Sequence, residues 1–176
     1  MHIRQGTPDD LVPIAAIKVL SWADTYGPLL SPAVLRPFLD VQDQLEELRR
    51  GLARQDSLLL VAVDGEDMVI GFALTFAEAE PAPWLESLHV AADLRGHGVG
   101  TQLMQATAAE LRKRGYNTLR LGVVSGNEAA ARLYERLGGS LEGTEAASWA
   151  NGVTHLLYRW DDLRALGEKF ISTTPG

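Results

Sequence analysis

The residues of this chain that could do chemistry are concentrated between positions 86 and 134. The densest group is the run Arg-Gly-His-Gly-Val-Gly-Thr at residues 95–101, in which glycines alternate with larger residues. Glycine lets the backbone approach a ligand closely, and the free N–H groups at the start of a helix attract phosphate. The run therefore predicts a loop that binds a phosphate-bearing ligand.

The elements on both sides of this loop favour the same interpretation. Before it, Leu85, Leu88 and Val90 indicate a buried strand that ends at the turn-forming Asp93. After it, apolar residues recur at every third or fourth position as far as Leu111, which is typical of one face of an amphipathic helix. The loop should therefore lie at the N-terminus of that helix, at the positive end of its dipole.

The spacing of the glycines separates this loop from two common nucleotide-binding loops. The Rossmann pattern G-x-G-x-x-G fails because Thr101 stands where the third glycine is needed. The Walker pattern fails because no Gly-Lys-Ser or Gly-Lys-Thr ending follows the glycines. The pattern that fits is Arg-x-x-Gly-x-Gly, formed by Arg95, Gly98 and Gly100.

A second pattern lies further along the chain, where Asn127, Ala130 and Tyr134 form Asn-x-x-Ala-x-x-x-Tyr. Together the two patterns resemble the GNAT superfamily of acyl-CoA-dependent N-acyltransferases, whose pyrophosphate loop reads Gln/Arg-x-x-Gly-x-Gly/Ala. The resemblance covers nearly the whole chain, although its specific motifs occupy only residues 86–138. The chain departs from the family at Gly138-Gly139, where Gly-Phe is common.

Length and composition predict one domain. The chain has 176 residues, of which 46% are hydrophobic, and this is enough for one substantial core and short for two. We expect a single N-acetyltransferase domain over residues 1–170 and a flexible tail over 171–176. The absence of cysteine excludes disulfides, thiolate metal sites and a cysteine acyl-enzyme.

Charge and hydropathy limit the partners. The net charge of -7 disfavours a nucleic-acid partner and mildly favours cationic small molecules. No apolar run approaches the length of a membrane span, so we expect no membrane partner. The absence of cysteine is compatible with a reducing compartment, so we expect a cytoplasmic protein. A homodimer is compatible with the sequence.

The order of the predicted elements indicates an α/β fold with a mixed sheet, because antiparallel hairpins stand at both ends of the chain. The predicted strands cover residues 1–5, 57–63, 69–76, 84–90, 118–124, 140–149 and 153–160. The predicted helices cover residues 11–26, 31–39, 43–54, 101–114, 128–137 and 161–170. The resemblance implies a single-domain GNAT-like fold: a mixed, mostly antiparallel central sheet flanked by helices and splayed at its two central parallel strands.

The resemblance also implies where acetyl-CoA binds. Its pantetheine arm would enter between the strands at 84–90 and 118–124, along the backbone of Leu88, His89 and Val90. An amide near Val90 would then donate to the thioester carbonyl. The pyrophosphate would bind the loop residues Arg95, Gly96, His97, Gly98, Val99, Gly100 and Thr101. His89 and His97 are expected to contribute main chain rather than catalytic imidazoles, and a fully paired strand is the alternative to an open one.

Acetyl transfer to an amine needs a neutral amine and a proton for the departing CoA thiolate, and it needs no metal. Glu86 precedes Val90 by four residues, so in a regular strand it shares the face of Leu88 and Val90 and could take the ammonium proton directly or through water. The resemblance implies that the Tyr134 hydroxyl faces the thiol and would give a proton to the thiolate. The alternatives are a solvent-facing strand residue for Glu86 and a core aromatic residue for Tyr134.

Three further residues have two interpretations each. Asn127 is predicted to bind pantetheine, to cap a helix, or to do both. Trp22 and Tyr26 lie one helical turn apart before Gly27-Pro28, and this pair is common in relatives that acetylate small amines or peptides. Core packing explains the pair equally well. The acceptor is not identified, because fold and donor motif are shared across many substrates.

The resemblance thus implies an N-acetyltransferase that moves the acetyl group of acetyl-CoA to a primary amine of a small molecule or peptide by direct attack in a ternary complex. The alternative is a non-catalytic acyl-CoA-binding regulatory module on the same fold, and the retention of Glu86 and Tyr134 argues against it. A serine hydrolase is excluded because Ser125 stands in Gly-Val-Val-Ser-Gly, which is not the G-x-S-x-G elbow.

Overall fold

Seven strands form one sheet in the computed structural model, which describes residues 1–167. The strands are β1 (His2–Gln5), β2 (Ser57–Val63), β3 (Val69–Phe76), β4 (Trp84–Val90), β5 (Leu119–Val124), β6 (Ser140–Ala146) and β7 (Thr154–Trp160). Their order across the sheet is β1-β2-β3-β4-β5-β7-β6, and every neighbouring pair is antiparallel except β4 and β5, which are parallel. The predicted α/β class and mixed sheet are confirmed.

Six α-helices accompany the sheet in the described part of the chain. They are α1 (Leu11–Tyr26), α2 (Pro32–Leu35), α3 (Val41–Leu52), α4 (Val99–Lys113), α5 (Glu128–Arg136) and α6 (Arg164–Gly167). The predicted tail at 171–176 and the end of the helix predicted over 161–170 lie outside the described residues. Within residues 1–167, every helix is too short or too polar to cross a membrane.

Two hydrophobic cores cover the two faces of the sheet, and β2 contributes side chains to both. Leu59 and Val61 pack toward α1 and α3 on one face. Leu58 and Leu60 pack toward α4 on the other. Side chains of a strand alternate between faces, so a strand covered on both sides has a continuous apolar sequence. This explains why Ser57–Val63 is buried at nearly every position.

The strand β3 carries a bulge beside Gly71. Ala62 pairs with Gly71 and Val63 pairs with Val69, so Ile70 is the extra residue. A Cβ at Gly71 would lie 3.0 Å from the His89 carbonyl oxygen, so the close approach of β4 also requires glycine here. A glycine inside a strand is typical of a bulge or of a close backbone approach, and Gly71 has both.

Two predicted elements are shorter in the structure. The helix predicted over 31–39 is divided into α2 and a 3-10 turn at Arg36–Phe38, where Pro37 interrupts α-helical hydrogen bonding. The strand predicted over 140–149 ends at Ala146, and the Ala147 N–H donates to the Val153 carbonyl at 2.8 Å to close a longer loop. The turn at Asn151-Gly152 is therefore part of that loop.

The start of α1, which carries part of the site described below, is fixed by a partly buried ion pair. Both guanidinium Nη atoms of Arg4 donate to the Asp10 carboxylate at 2.8 Å, and the Thr7 N–H donates to the same carboxylate at 2.8 Å. The hydrogen bonds from Arg4 and Thr7 outweigh burial and lower the pKa of Asp10 to about 2. The carboxylate is thus ionised at neutral pH.

Replacing Asp10 with asparagine should lower the free energy of unfolding by about 2 kcal/mol at pH 7. Because the folded-state pKa is depressed, the ionised carboxylate stabilises the fold above about pH 4, and this gain is lost as the pH falls toward about 2. The penalty should therefore shrink between pH 7 and pH 3 in urea unfolding. The exposed Asp9→Asn is the matched control, and an Asp10→Asn penalty that is equal at both pH values would contradict this role.

Candidate active site

The strands β4 and β5 diverge soon after they begin to pair. Their parallel ladder contains only Trp84 opposite Arg120 and Leu85 opposite Leu121. The remainder of β4, from Glu86 onward, has no partner on this side, so the predicted splay is confirmed and full pairing is wrong. The gap opens into a cavity of about 1050 Å³.

Most of the residues that the sequence singled out line this one cavity. They are Trp22, Tyr26, Glu86, Leu88, His89, Val90, Arg95, Gly96, Gly98, Gly100, Thr101, Asn127 and Tyr134. The side chains of two predicted residues do not line the cavity. His97 is exposed, with Nδ1 3.1 Å from the Arg95 carbonyl, and Val99 is buried in the core under α4. That His97 and Val99 contribute main-chain groups stays a prediction.

The edge of β4 directs backbone groups into the gap. The Ala91 N–H donates to the Ile70 carbonyl of β3 at 2.9 Å. Hydrogen bonds alternate along an antiparallel ladder, so the N–H groups of Leu88 and Val90 point away from β3, toward the gap. The Val90 carbonyl follows the same direction, since it accepts from Arg95 Nε at 3.3 Å.

The glycine loop places the first turn of α4 at one end of the cavity. Gly98 has φ 85°, in the left-handed region, and a Cβ built there would meet nothing within 4 Å. The first helical hydrogen bond of α4 runs from the Gln102 N–H to the Gly98 carbonyl, so the preceding N–H groups have no acceptor within the helix. Free N–H groups at the positive end of a helix dipole suit an anion.

The Arg95 side chain lies against α1. Its Nη1 donates to Asp24 at 2.7 Å, in addition to the bond from Nε to the Val90 carbonyl. The guanidinium therefore connects the glycine loop to the helix that carries Trp22 and Tyr26.

Glu86 lies in a β-bulge, which moves its side chain to the face of the sheet opposite to the predicted one. Ser87 pairs with Leu74 and Leu85 pairs with Thr75, so Glu86 is the extra residue. Leu88 and Val90 pack toward α4, whereas Glu86 lines a second cavity with Lys18 of α1 and residues of α3. The prediction that Glu86 shares a face with Leu88 and Val90 is wrong, because the bulge interrupts the alternation. Glu86 lies on the α1 side of the gap and still lines the main cavity.

Two neighbours define the environment of Glu86. The Trp84 indole Nε1 donates to the Glu86 carboxylate at 3.0 Å, which orients the exposed side chain. On β7, burial lowers the pKa of His155, with Glu86 and Glu145 acting in the opposite direction. The imidazole is therefore neutral at neutral pH. Its Nε2 accepts from Trp149 Nε1 at 3.3 Å, so its own proton belongs on Nδ1.

The start of α5 joins Asn127 to α1. Asn127 Oδ1 accepts from the Ala130 N–H at 3.3 Å, so the predicted helix cap is confirmed. Its Nδ2 donates to the Tyr26 hydroxyl, also at 3.3 Å. Asn127 thus caps α5 and fixes a residue of the opposite wall with the same side chain.

Tyr134 is both a core residue and a cavity residue. Its ring packs 6.0 Å from Tyr158 and 6.0 Å from Trp160, and the side chain lines the gap. Burial raises the pKa of its phenol far above the usual value near 10, with Tyr26 adding to the effect. The hydroxyl therefore keeps its proton at any physiological pH.

His89 lies on the α1 side of β4. Its Nδ1 is 2.9 Å from Ser21 Oγ, and burial, helped by Lys18 and Arg95, lowers the pKa of the imidazole to about 3. A neutral histidine bonded to a helix serine suits the expectation that His89 is not a catalytic imidazole.

An aromatic cluster that the sequence did not predict closes the α1 end of the cavity. Trp22 stacks on Phe38 with ring centroids 4.0 Å apart, and Trp149 meets both rings edge-on at 5.5 and 5.1 Å. Phe38 ends the 3-10 turn after α2 and Trp149 lies in the loop after β6, so the two are distant in sequence and no local pattern marks them. Lys18 was detectable, because it follows Ile14 and precedes Trp22 by one turn on an otherwise apolar helix face.

Comparison with known proteins decides the family. The sequence model of the acetyltransferase (GNAT) family matches residues 18–139, which is more than half of the chain. The chain belongs to the GNAT family. The resemblance that the two sequence patterns predicted is confirmed, and the GNAT match includes the glycine loop, Glu86 and Tyr134.

Two curated relatives show how far the likeness extends. The L-methionine sulfoximine/L-methionine sulfone acetyltransferase of Pseudomonas aeruginosa is 34% identical over 96 residues, covering 52% of this GNAT chain and 55% of the relative. The aminoglycoside N(6')-acetyltransferase type 1 of Stenotrophomonas maltophilia is 28% identical over 125 residues, covering 66% and 71% respectively. This chain therefore spans about half the length of the first relative.

A solved structure gives the same fold. The crystal structure of PaiA N-acetyltransferase from Thermoplasma acidophilum in complex with coenzyme A superimposes with a TM-score of 0.73. The likeness covers 90% of this chain and 96% of that chain at 20% sequence identity. At this identity the likeness establishes the GNAT fold and leaves the substrate open.

Proposed function

We propose that this GNAT protein is an N-acetyltransferase that moves the acetyl group of acetyl-CoA to a primary amine of a small molecule or peptide by direct attack. The observation that supports this most strongly is that one cavity connects three features. These are the anion site at α4, the unpaired edge of β4, and the pair formed by the Glu86 carboxylate and the protonated phenol of Tyr134.

The donor would lie along the glycine loop and β4. The free N–H groups in the first turn of α4 suit the pyrophosphate of acetyl-CoA, and the N–H of Val90 suits the thioester carbonyl oxygen. When bound, acetyl-CoA supplies an activated acyl group. The open space at Gly98 is what allows the phosphate to reach the backbone.

The acceptor would approach from the α1 side, where Glu86 lies. Glu86 takes the ammonium proton directly or through water, and the neutral amine nitrogen then forms the new bond to the acyl carbon. The attacking nitrogen then loses its surplus proton to solvent, the carbon–sulfur bond breaks, and the phenol of Tyr134 gives its proton to the departing sulfur. Tyr134 regains a proton from solvent. Neither step requires an acyl-enzyme.

The relatives' names support a small-molecule acceptor. They specify an amino-acid derivative for the Pseudomonas aeruginosa protein and an aminoglycoside for the Stenotrophomonas maltophilia protein. Both kinds of molecule carry a primary amine, which is the one group the proposed chemistry requires.

A panel of primary amines, assayed by release of CoA from acetyl-CoA and by the mass of the product, tests the proposal. The panel should contain amino acids, polyamines, amino sugars and short peptides. We expect at least one class to be acetylated with stoichiometric CoA release. Tight binding of acetyl-CoA with no amine acetylated in any class would instead favour a non-catalytic acyl-CoA-binding module.

Replacing Glu86 with glutamine should lower turnover most at low pH, where the amine is protonated and a base is needed. The affinity for acetyl-CoA should change little, because Glu86 lies on the α1 side of the gap, away from the glycine loop. The pH–rate profiles of variant and parent measure this, with Glu145→Gln on β6 as a control for loss of a cavity carboxylate. Profiles of the same shape for Glu86→Gln and the parent would reject the role of base.

A further inference from the structure

Lys18 is a buried cation at the acceptor end of the site. It is 5% exposed, and among the residues that the structure describes it is the only lysine or arginine in the buried class. It lines the main cavity and also the adjoining cavity of about 210 Å³. Glu86 lines the same two cavities, so the cation and the proposed base border the same space.

Lys18 is held by fewer polar contacts than the other buried charged residues. Asp56 is held by two hydrogen bonds from Arg54 at 2.8 Å, and Asp10 is held in the same way by Arg4. Within residues 1–167, Lys18 has one ion pair, from Nζ to Glu47 at 3.2 Å, and the Glu47 side chain is 41% exposed. An ammonium has three donors, and a buried charge is costly unless it is well paired. Lys18 therefore has donors to spare, and its side chain lines the main cavity.

The groups beside Lys18 do not supply the missing hydrogen-bond acceptors. His89 is neutral and is disfavoured in its charged form by Lys18, and its Nδ1 already faces Ser21. The carboxylate of Glu86, which lines the same two cavities as Lys18, would repel a second anion unless a cation stood beside it. Lys18 is placed to be that cation.

We infer that the acceptor is an α-amino acid, and that Lys18 binds its carboxylate while the amine is presented to Glu86. The inference rests on the proposed acetyltransferase function and adds the substrate class. An α-carboxylate is adjacent to its amine, which suits a cation and a base that line the same cavity. The aromatic cluster of Trp22, Phe38 and Trp149 borders this space, so the side chain of the amino acid should be apolar.

Matched substrates test the inference. Phenylalanine, leucine and methionine are each compared with the amine that lacks only the carboxylate, using acetyl-CoA and the full chain. The parent should have the lower KM for the amino acid in each pair. Lys18→Met should raise the KM for the amino acids about tenfold, while the KM for the matching amines changes less than about twofold.

Glu47→Gln is the second variant, and it separates substrate binding from a structural ion pair. It keeps Lys18 and removes the competing carboxylate, so the KM for the amino acids should fall or stay level. If the ion pair of Lys18 and Glu47 is purely structural, both variants should change the KM for the amino acids and the KM for the matching amines by similar factors. That result, or lower KM values for the decarboxylated amines, would overturn the inference while acetylation of those amines still upheld the proposed function. Absence of acetylation in every pair and across the wider amine panel would overturn both.

Discussion

Replacing Tyr134 with phenylalanine should lower turnover about 100-fold while the fold and the binding of acetyl-CoA survive. The variant removes only the hydroxyl, so the ring keeps its packing against Tyr158 and Trp160. Burial raises the pKa of the phenol, which ensures that the proton is present at neutral pH. The expected loss corresponds to removal of one general acid at the sulfur.

The measurement is steady-state turnover at saturating amine, under conditions in which chemistry is shown to be rate-limiting. Tyr116→Phe is the matched control, since Tyr116 packs against the same core but does not line the cavity. Calorimetric binding of acetyl-CoA to both variants should equal that of the parent. Parental turnover in Tyr134→Phe would make Tyr134 a packing residue and leave water as the acid.

Replacing Gly98 with valine should weaken acetyl-CoA binding by more than about tenfold, roughly 1.4 kcal/mol. A side chain in the open space at Gly98 would hold the phosphate away from the N–H groups of α4. Valine is also strained at φ 85°, so the variant should lose stability as well. Calorimetry with acetyl-CoA measures the affinity, and thermal unfolding measures the stability.

Gly115 provides a control for the strain. It lies just beyond the other end of α4, with φ 89° and nothing within 4 Å of an added Cβ. Gly115→Val should therefore lose similar stability but keep its affinity for acetyl-CoA. If both variants lost affinity equally, the loss would come from backbone strain, and the phosphate would have to bind elsewhere.

The glycine loop and the start of α5 could be predicted from sequence because their signals are local. The glycines at 96, 98 and 100, the strand before them and the helix after them lie within one short segment. The same holds for Asn127, whose cap position is set by the residues that immediately follow. Such elements depend on hydrogen bonds and side-chain periodicity within a few residues, and these are visible in the chain.

The surroundings of Glu86 and Trp22 could be predicted only in part, because they depend on strand register and on loops that meet from distant parts of the chain. Regular alternation assigned Glu86 to the face of Leu88 and Val90, and one extra residue in the β3–β4 ladder moved it to the other. Trp149 was assigned to a strand, but it leaves β6 and packs against Trp22. Neither the bulge nor the loop leaves a periodic signal in a single sequence.

Initial rates with acetyl-CoA and an acceptor amine varied together give the most direct test of transfer in the gap between β4 and β5. Direct attack in a ternary complex predicts double-reciprocal lines that intersect, because both substrates must be bound before CoA leaves. Parallel lines would show that CoA departs before the amine binds, which requires an acyl-enzyme. That result would contradict direct transfer from the thioester to the amine.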